Sequence, residues 1–135
     1  MKRIDISKYH NIAFKDFGRD FSGVDCLGLP GLFYKTEFGI IFPEFKYESD
    51  WEKQDEDLIA ENYQALCERI EKPERYSLVA FRMPGHFVEH HLGIVLWDLD
   101  QFLHSPLNQP SRVEKLSHPV WKRSKSSFYR VKGIA

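Results

Sequence analysis

Gly23-Val24-Asp25-Cys26-Leu27-Gly28-Leu29 is the stretch on which the reading of the whole chain turns. It sets a cysteine between the loop formers Gly18, Ser22 and Gly23 and a run with helical character. Leu29, Leu32, Phe33 and Phe38 fall on one helical face and Gly39 supplies a stop, so the spacing predicts a helix from Asp25 to about Phe38. Pro30 is compatible with that helix only near its start, because deeper inside its ring would clash with the carbonyl four residues back. A helix start exposes N–H groups and a partial positive charge, which favour thiolate over thiol. The same N–H groups can receive the oxyanion formed when a thiolate attacks a carbonyl. A lone cysteine in this position is nonetheless more simply explained as a small buried core residue.

The second half of the chain changes that balance. His90-His91-Leu92-Gly93-Ile94-Val95-Leu96 lies in a β-rich run from Phe87 to Trp97, and Gln101-Phe102-Leu103-His104 opens the next strand candidate, Gln101 to Ser105. With Asp98-Leu99-Asp100 as the hairpin connection, residues 91 and 104 become neighbours across the two strands. One imidazole can then take the thiol proton while the other fixes its tautomer and ring orientation. A cysteine at the head of a helix facing two histidines on a sheet has the logic of a thiol hydrolase.

Further strands are predicted at Tyr76 to Arg82, before the Pro84-Gly85 turn, and at Arg112 to Leu116 and Ser127 to Val131. Between the two halves, Ser49 and Glu52 have capping-box spacing, and Leu58, Ile59, Tyr63, Leu66 and Ile70 keep helical spacing up to Pro73. An amphipathic helical insertion over about 49–72 is expected, with Cys67 as a small buried residue on it. Helices first and strands afterwards indicate an α+β fold with an antiparallel sheet. The 135 residues suffice for a single domain, 1–135.

Composition narrows the function classes. Hydrophobic residues at 42% and charged residues at 29% describe an ordinary globular chain, and a net charge of -1 offers no general attraction for nucleic acid. The basic residues Lys122, Arg123, Lys125, Arg130 and Lys132 are read as a solvated edge near the last strand. Two cysteines do not make a disulfide framework, and no apolar run approaches the roughly 18 residues of a membrane span. Met1 to Phe14 lacks a signal-peptide core, so synthesis in the cytoplasm without an export route of its own is expected. His86, His90, His91, His104 and Cys26 are metal-ligand types, but the segment reads as strand and Phe87 stands where a zinc protease has glutamate. No metal site and no cofactor are expected. His10, His86 and His118 are read as exposed or locally bonded, and His90 as pointing away from the face of His91.

Taken together, these blocks resemble the NlpC-type papain-like cell-wall cysteine peptidases, particularly the short versions encoded in phage tail gene clusters. An Asp-Cys-x-Gly-Leu signature matches Asp25, Cys26, Gly28 and Leu29; a His-Val/Leu-Gly-Ile block matches His91, Leu92, Gly93 and Ile94; an apolar strand ending in histidine matches Phe102, Leu103 and His104. The likeness covers roughly residues 14–131. It implies a papain-like fold in which the N-terminal helix carrying the cysteine packs on the antiparallel sheet. It further implies hydrolysis of an amide in the peptidoglycan stem peptide, typically between D-glutamate and diaminopimelate or lysine. Cys26 would be nucleophile, His91 general base and acid, and His104 the orienting third member. Asp25, Phe14 and Phe17 would lie at the oxyanion or substrate-binding corner, the two phenylalanines standing in the window where the family usually has a tyrosine. Leu27 replaces a commoner serine or tryptophan.

The implied partners are the stem peptide and phage tail proteins, with no nucleic acid and no membrane. A wall-cutting enzyme without its own export signal would act from a phage particle or after lysis. Two other outcomes stay open: a tail or assembly protein that keeps the fold without turnover, and a thiol amidase or acyltransferase with another substrate.

Overall fold

The structure, a computed structural model, describes residues 1–54 and 56–134. A 3₁₀ turn at Ser7–Tyr9 leads into an antiparallel ribbon of β1 (Arg19–Asp20) and β2 (Gly23–Val24), followed by helix α1 (Gly28–Phe38). A second 3₁₀ turn (Trp51–Lys53) and the short α2 (Leu58–Tyr63) come next. The remaining elements are β3 (Cys67–Ile70), β4 (Leu78–Phe81), β5 (His91–Val95), β6 (Gln101–His104), β7 (Arg112–Lys115), α3 (Pro119–Lys122) and β8 (Ser127–Val131). β3 to β8 form one antiparallel sheet in the order β3-β8-β4-β5-β6-β7. This is the α+β arrangement that the order of patterns predicted.

Helix α1 begins at Gly28, three residues later than its periodicity suggested. Pro30 sits in its first turn, where no intrahelical N–H bond exists to be lost. At the other end Gly39 adopts φ 68°, and its N–H reaches the carbonyls of Lys35 and Tyr34. Gly28 answers to a different constraint. A Cβ there would lie 1.8 Å from the Gly18 carbonyl oxygen, so only glycine lets the ribbon close over the head of the helix.

Strand alternation divides the apolar residues between two faces of the sheet. Leu78, Ala80, Leu92, Ile94 and Leu103 join Leu29, Leu32 and Phe33 of α1 in the main core. Val79, Phe81, Val95 and Phe102 build a smaller cluster on the other face, backed by Leu116, Trp121 and Phe128. Each fully buried Leu, Val or Phe contributes about 1.5–3 kcal/mol, and this double burial explains why β4 is apolar throughout.

The helix expected over about 49–72 is not formed as such. Among the described residues of that stretch only Leu58–Tyr63 is α-helical, and neither Asp50 nor Asp57, which precede the 3₁₀ turn and α2, makes a side-chain cap. Asp55 lies outside the described residues. Cys67 is buried, as expected, but on a strand: Cys67 to Ile70 pairs with Val131 to Phe128. That partner stands some sixty residues away, and its ladder overrides the local helical period. Arg130, from the basic C-terminal group, is tied on its strand to Glu68 and Glu74. Among the described residues no helix is long and apolar enough to cross a membrane.

Candidate active site

The register Ile94↔Leu103 and Val95↔Phe102 carries on to set Gly93 opposite His104, leaving His91 one diagonal step away on the same face. The two imidazoles meet edge to face, with His91 Nε2 2.8 Å from His104 Nδ1. Gly93 keeps the gap open: a Cβ there would stand 2.8 Å from the Phe102 ring. His104 Nε2 lies 2.5 Å from Glu114 Oε2, whose carboxylate also accepts from Arg112 Nε and Trp121 Nε1. Burial holds His104 neutral, its pKa lowered to about 4 against the pull of Glu114. The hydrogen bond from His104 lowers Glu114 to about 2.

Those protonation states set the direction of the chain. Neutral His104 donates from Nε2 to Glu114, so its Nδ1 accepts from His91 Nε2–H. The nitrogen of His91 left for other partners is therefore Nδ1.

Cys26 precedes α1 in the main core, and its thiol lies within 4.8 Å of both a His91 ring nitrogen and a Glu52 carboxylate oxygen. The structure thus brings Cys26, His91 and His104 into one cluster. It does not give the acidified thiol that a helix start favours. Cys26 is only 3% exposed, and its pKa is raised well above the ordinary thiol value, by burial first and then by Glu52 and Asp25. The Leu92 N–H opposes this shift without overcoming it.

Glu52 fills the corner between nucleophile and base. Its Oε1 lies 2.6 Å from His91 Nδ1, a contact that requires one proton between the two atoms. While that proton is held there, Nδ1 has no lone pair with which to deprotonate Cys26. Burial pushes the Glu52 pKa up, but hydrogen bonding and charge attraction from His91 outweigh it and leave the carboxyl below its usual value. Trp51, 2% exposed and packed edge-on against Tyr47, anchors the turn that carries Glu52.

Asp25 ties the loop before the cysteine to the start of α1. Its carboxylate accepts from the N–H groups of Phe17 (2.9 Å), Leu27 (3.2 Å) and Gly28 (2.7 Å), from Arg19 Nη1 (3.1 Å) and from the Tyr47 hydroxyl. A carboxylate is acceptor-only, and this one engages N–H groups at the helix start that an oxyanion would otherwise find. Phe14 and Phe17 do not provide the missing donor either. Phe14 makes a bridge to Val24, while Phe17, at φ 64°, lays its ring against Tyr47. The phenol at this corner comes from Tyr47, further along the chain.

His90 Nε2 accepts from the Met83 N–H and its ring stacks on His86, while His118 caps α3 through the Val120 N–H. The metal-ligand grouping among the described residues is Cys26, Glu52 and His91, a different set from the one weighed on sequence grounds.

This architecture recurs in solved structures of low sequence identity. The NlpC/p60 domain of the peptidoglycan hydrolase SagA superposes with a TM-score of 0.59 at 18% identity, covering 89% of this chain and 88% of that one. An NlpC/p60 family protein from Bacillus cereus ATCC 10987 superposes with a TM-score of 0.61 at 17% identity, over 88% of this chain. The chain has the NlpC/p60 fold. It spans 35% of the length of the Bacillus protein. No protein-family profile and no curated sequence matches it.

Within this NlpC/p60 fold, sequence reasoning missed Glu52, Glu114, Arg19 and Tyr47. Glu114 had a faint signal, since alternation on β7 puts it diagonal to His104 in the register His104↔Arg112. Glu52 had a misleading one, because its spacing from Ser49 imitates a helix cap.

Proposed function

We propose that the chain is a thiol-dependent hydrolase that cleaves an amide bond in peptidoglycan stem peptides, of the D-glutamyl-diaminopimelate or D-glutamyl-lysine endopeptidase type. One observation carries the catalytic part of this reading: the buried Glu114-His104-His91 chain ends on His91 Nδ1, and the Cys26 thiol lies within 4.8 Å of a His91 ring nitrogen. The substrate class rests on the sequence resemblance and on the fold shared with a domain described as part of a peptidoglycan hydrolase.

Once Glu52 withdraws and carries the shared proton away with it, Nδ1 takes the thiol proton and the Cys26 sulfur attacks the scissile carbonyl. The proton then passes from His91 to the leaving amine, giving a thioester that water hydrolyses with His91 again as base. His104 and Glu114 keep the imidazole in the required tautomer and do not touch the substrate. Delivery by a phage or prophage particle, with tail proteins as partners, belongs to the same reading and is tested by the genes flanking this one.

Digestion of defined muropeptides by wild type, Cys26→Ala and His91→Ala is the deciding experiment. Cleavage at the D-glutamyl bond by wild type, abolished in both variants, is expected. A second reading, a fold kept without turnover, is favoured by the Glu52 carboxylate standing between thiol and base. Intact muropeptides with wild type and no effect of Cys26→Ala would select it. Intact muropeptides alongside thiol-dependent cleavage of a simple ester would select another amidase or acyltransferase substrate.

A further inference from the structure

Three parts of the chain that are distant in sequence deliver one sulfur, one oxygen and one nitrogen to the same point. The Cys26 thiol, a Glu52 carboxylate oxygen and a His91 ring nitrogen all lie within 4.8 Å of one another. From these positions we propose that Cys26, Glu52 and His91 form a binding site for a single thiophilic divalent metal ion of the zinc class, which holds the thiol and imidazole latent. The site depends on these side chains alone and stands whatever the substrate.

The donor set is the first support. Thiolate, imidazole and carboxylate are the ligand types of zinc, and three protein ligands leave the fourth tetrahedral position to water. Bond lengths of about 2.0–2.3 Å place tetrahedral ligand atoms roughly 3.3–3.6 Å apart. The three donor atoms lie within 4.8 Å of one another, so small shifts bring them to that spacing; the 2.6 Å contact between His91 Nδ1 and Glu52 Oε1 must open, by roughly 0.7 Å.

The surroundings are the second support. Metal-bound histidines hold their other ring nitrogen on a hydrogen-bond partner, and His91 Nε2 is fixed in this way by His104, itself held by Glu114. Two of the donors stand on the rigid frame, at the head of α1 and the start of β5, and the third is carried by a turn pinned through buried Trp51. Charge agrees as well. Arg19 answers the Asp25 carboxylate, so Glu52 and an ionised Cys26 are the negative groups left for a dication to balance.

Binding moves protons and no electrons. The ion displaces the thiol proton and the proton shared by Glu52 and His91, both of which leave to solvent, and metal-sulfur, metal-nitrogen and metal-oxygen bonds replace them. With nucleophile and base both coordinated, hydrolysis stops until the ion is removed. His86 and His90 take no part, since His90 Nε2 is engaged by the Met83 N–H and the two rings stack on each other.

The test uses the full chain carrying Cys67→Ser, which removes the other thiol, stripped with chelator and titrated with Co²⁺. Expected are one equivalent bound, a thiolate-to-cobalt charge-transfer band, intense tetrahedral ligand-field bands, and displacement of cobalt by Zn²⁺. Cys26→Ser should abolish the charge-transfer band, and Glu52→Gln should weaken binding at least tenfold. Equal affinity in Glu52→Gln, or no thiolate band at one equivalent, would overturn the site. Should Glu52→Gln fail to fold by circular dichroism, Glu52→Asp decides instead: weakened binding supports the site and unchanged binding overturns it. Hydrolysis measured in chelator reports on the proposed enzymatic activity separately, so the two readings fail independently.

Discussion

Replacing Glu52 by glutamine removes one negative charge beside the Cys26 thiol while keeping the length of the side chain and the Trp51 anchor next to it. The thiol sulfur and the carboxylate oxygen lie at most 4.8 Å apart, and Glu52 is largely buried. At an effective dielectric of about 20, two unit charges at that separation repel by roughly 3.5 kcal/mol. Removing the charge therefore raises the thiolate fraction of Cys26 below the thiol pKa. The nucleophilicity of a thiolate falls with its pKa, at a slope of about 0.4–0.5, which takes back a little under half of the gain. Loss of the anion that accompanies His91 works in the same restraining direction.

The net expectation is a roughly tenfold to twentyfold faster alkylation of Cys26 by iodoacetamide in Glu52→Gln than in wild type, measured near neutral pH with chelator present. Cys67 serves as an internal reference: burial raises it to about 11, and it lies on β3 away from the substitution. Peptide mapping after timed labelling gives both rates in one sample. An unchanged ratio of Cys26 to Cys67 labelling would show that the Glu52 charge is not what restrains the thiol.

Two further outcomes concern stability. His104 is neutral in the fold with its pKa lowered from 6.5 to about 4, so the unfolded chain binds the proton more readily and stability is lost as pH falls through that window, by about 3 kcal/mol. Chemical denaturation at a series of pH values checks this; His104→Gln should flatten the dependence between those values, and an equally steep curve in that variant would assign the loss to other groups. Gly28→Ala would drive its methyl into the Gly18 carbonyl, a backbone clash exceeding ordinary overpacking, so a loss of about 3 kcal/mol and a Tm lower by roughly 10 °C are expected. A melting curve within about 2 °C of wild type would mean that the ribbon and α1 do not meet as closely as described.

The parts legible in the sequence were those written in short-range patterns. Alternation and turn residues located β4 to β8, and the hairpin Asp98-Leu99-Asp100 predicted the approach of His91 and His104 that the register confirms. The motif glycines now have a physical meaning: Gly28 admits the Gly18 carbonyl and Gly93 admits the Phe102 ring. Neither contact can be inferred from spacing, because each partner arrives from another element. The error over 49–72 has the same origin, since a helical period in Leu66 and Ile70 carries no information about the β8 ladder that claims Cys67 to Ile70.

What the residues alone determined is the order of the chemistry along the chain: a thiol ahead of a helix, then two imidazoles on consecutive strands. Spacing of two or of three to four residues encodes such local geometry because backbone hydrogen bonding imposes it directly. Only the tertiary structure decided the state of the thiol. Its burial, the carboxylate of Glu52 on the imidazole, and the capping of α1 by Asp25 with Arg19 and Tyr47 all arise where separate segments meet. The electrostatics of a buried site are the sum of whichever charges packing brings within a few ångströms, and no local pattern records that sum.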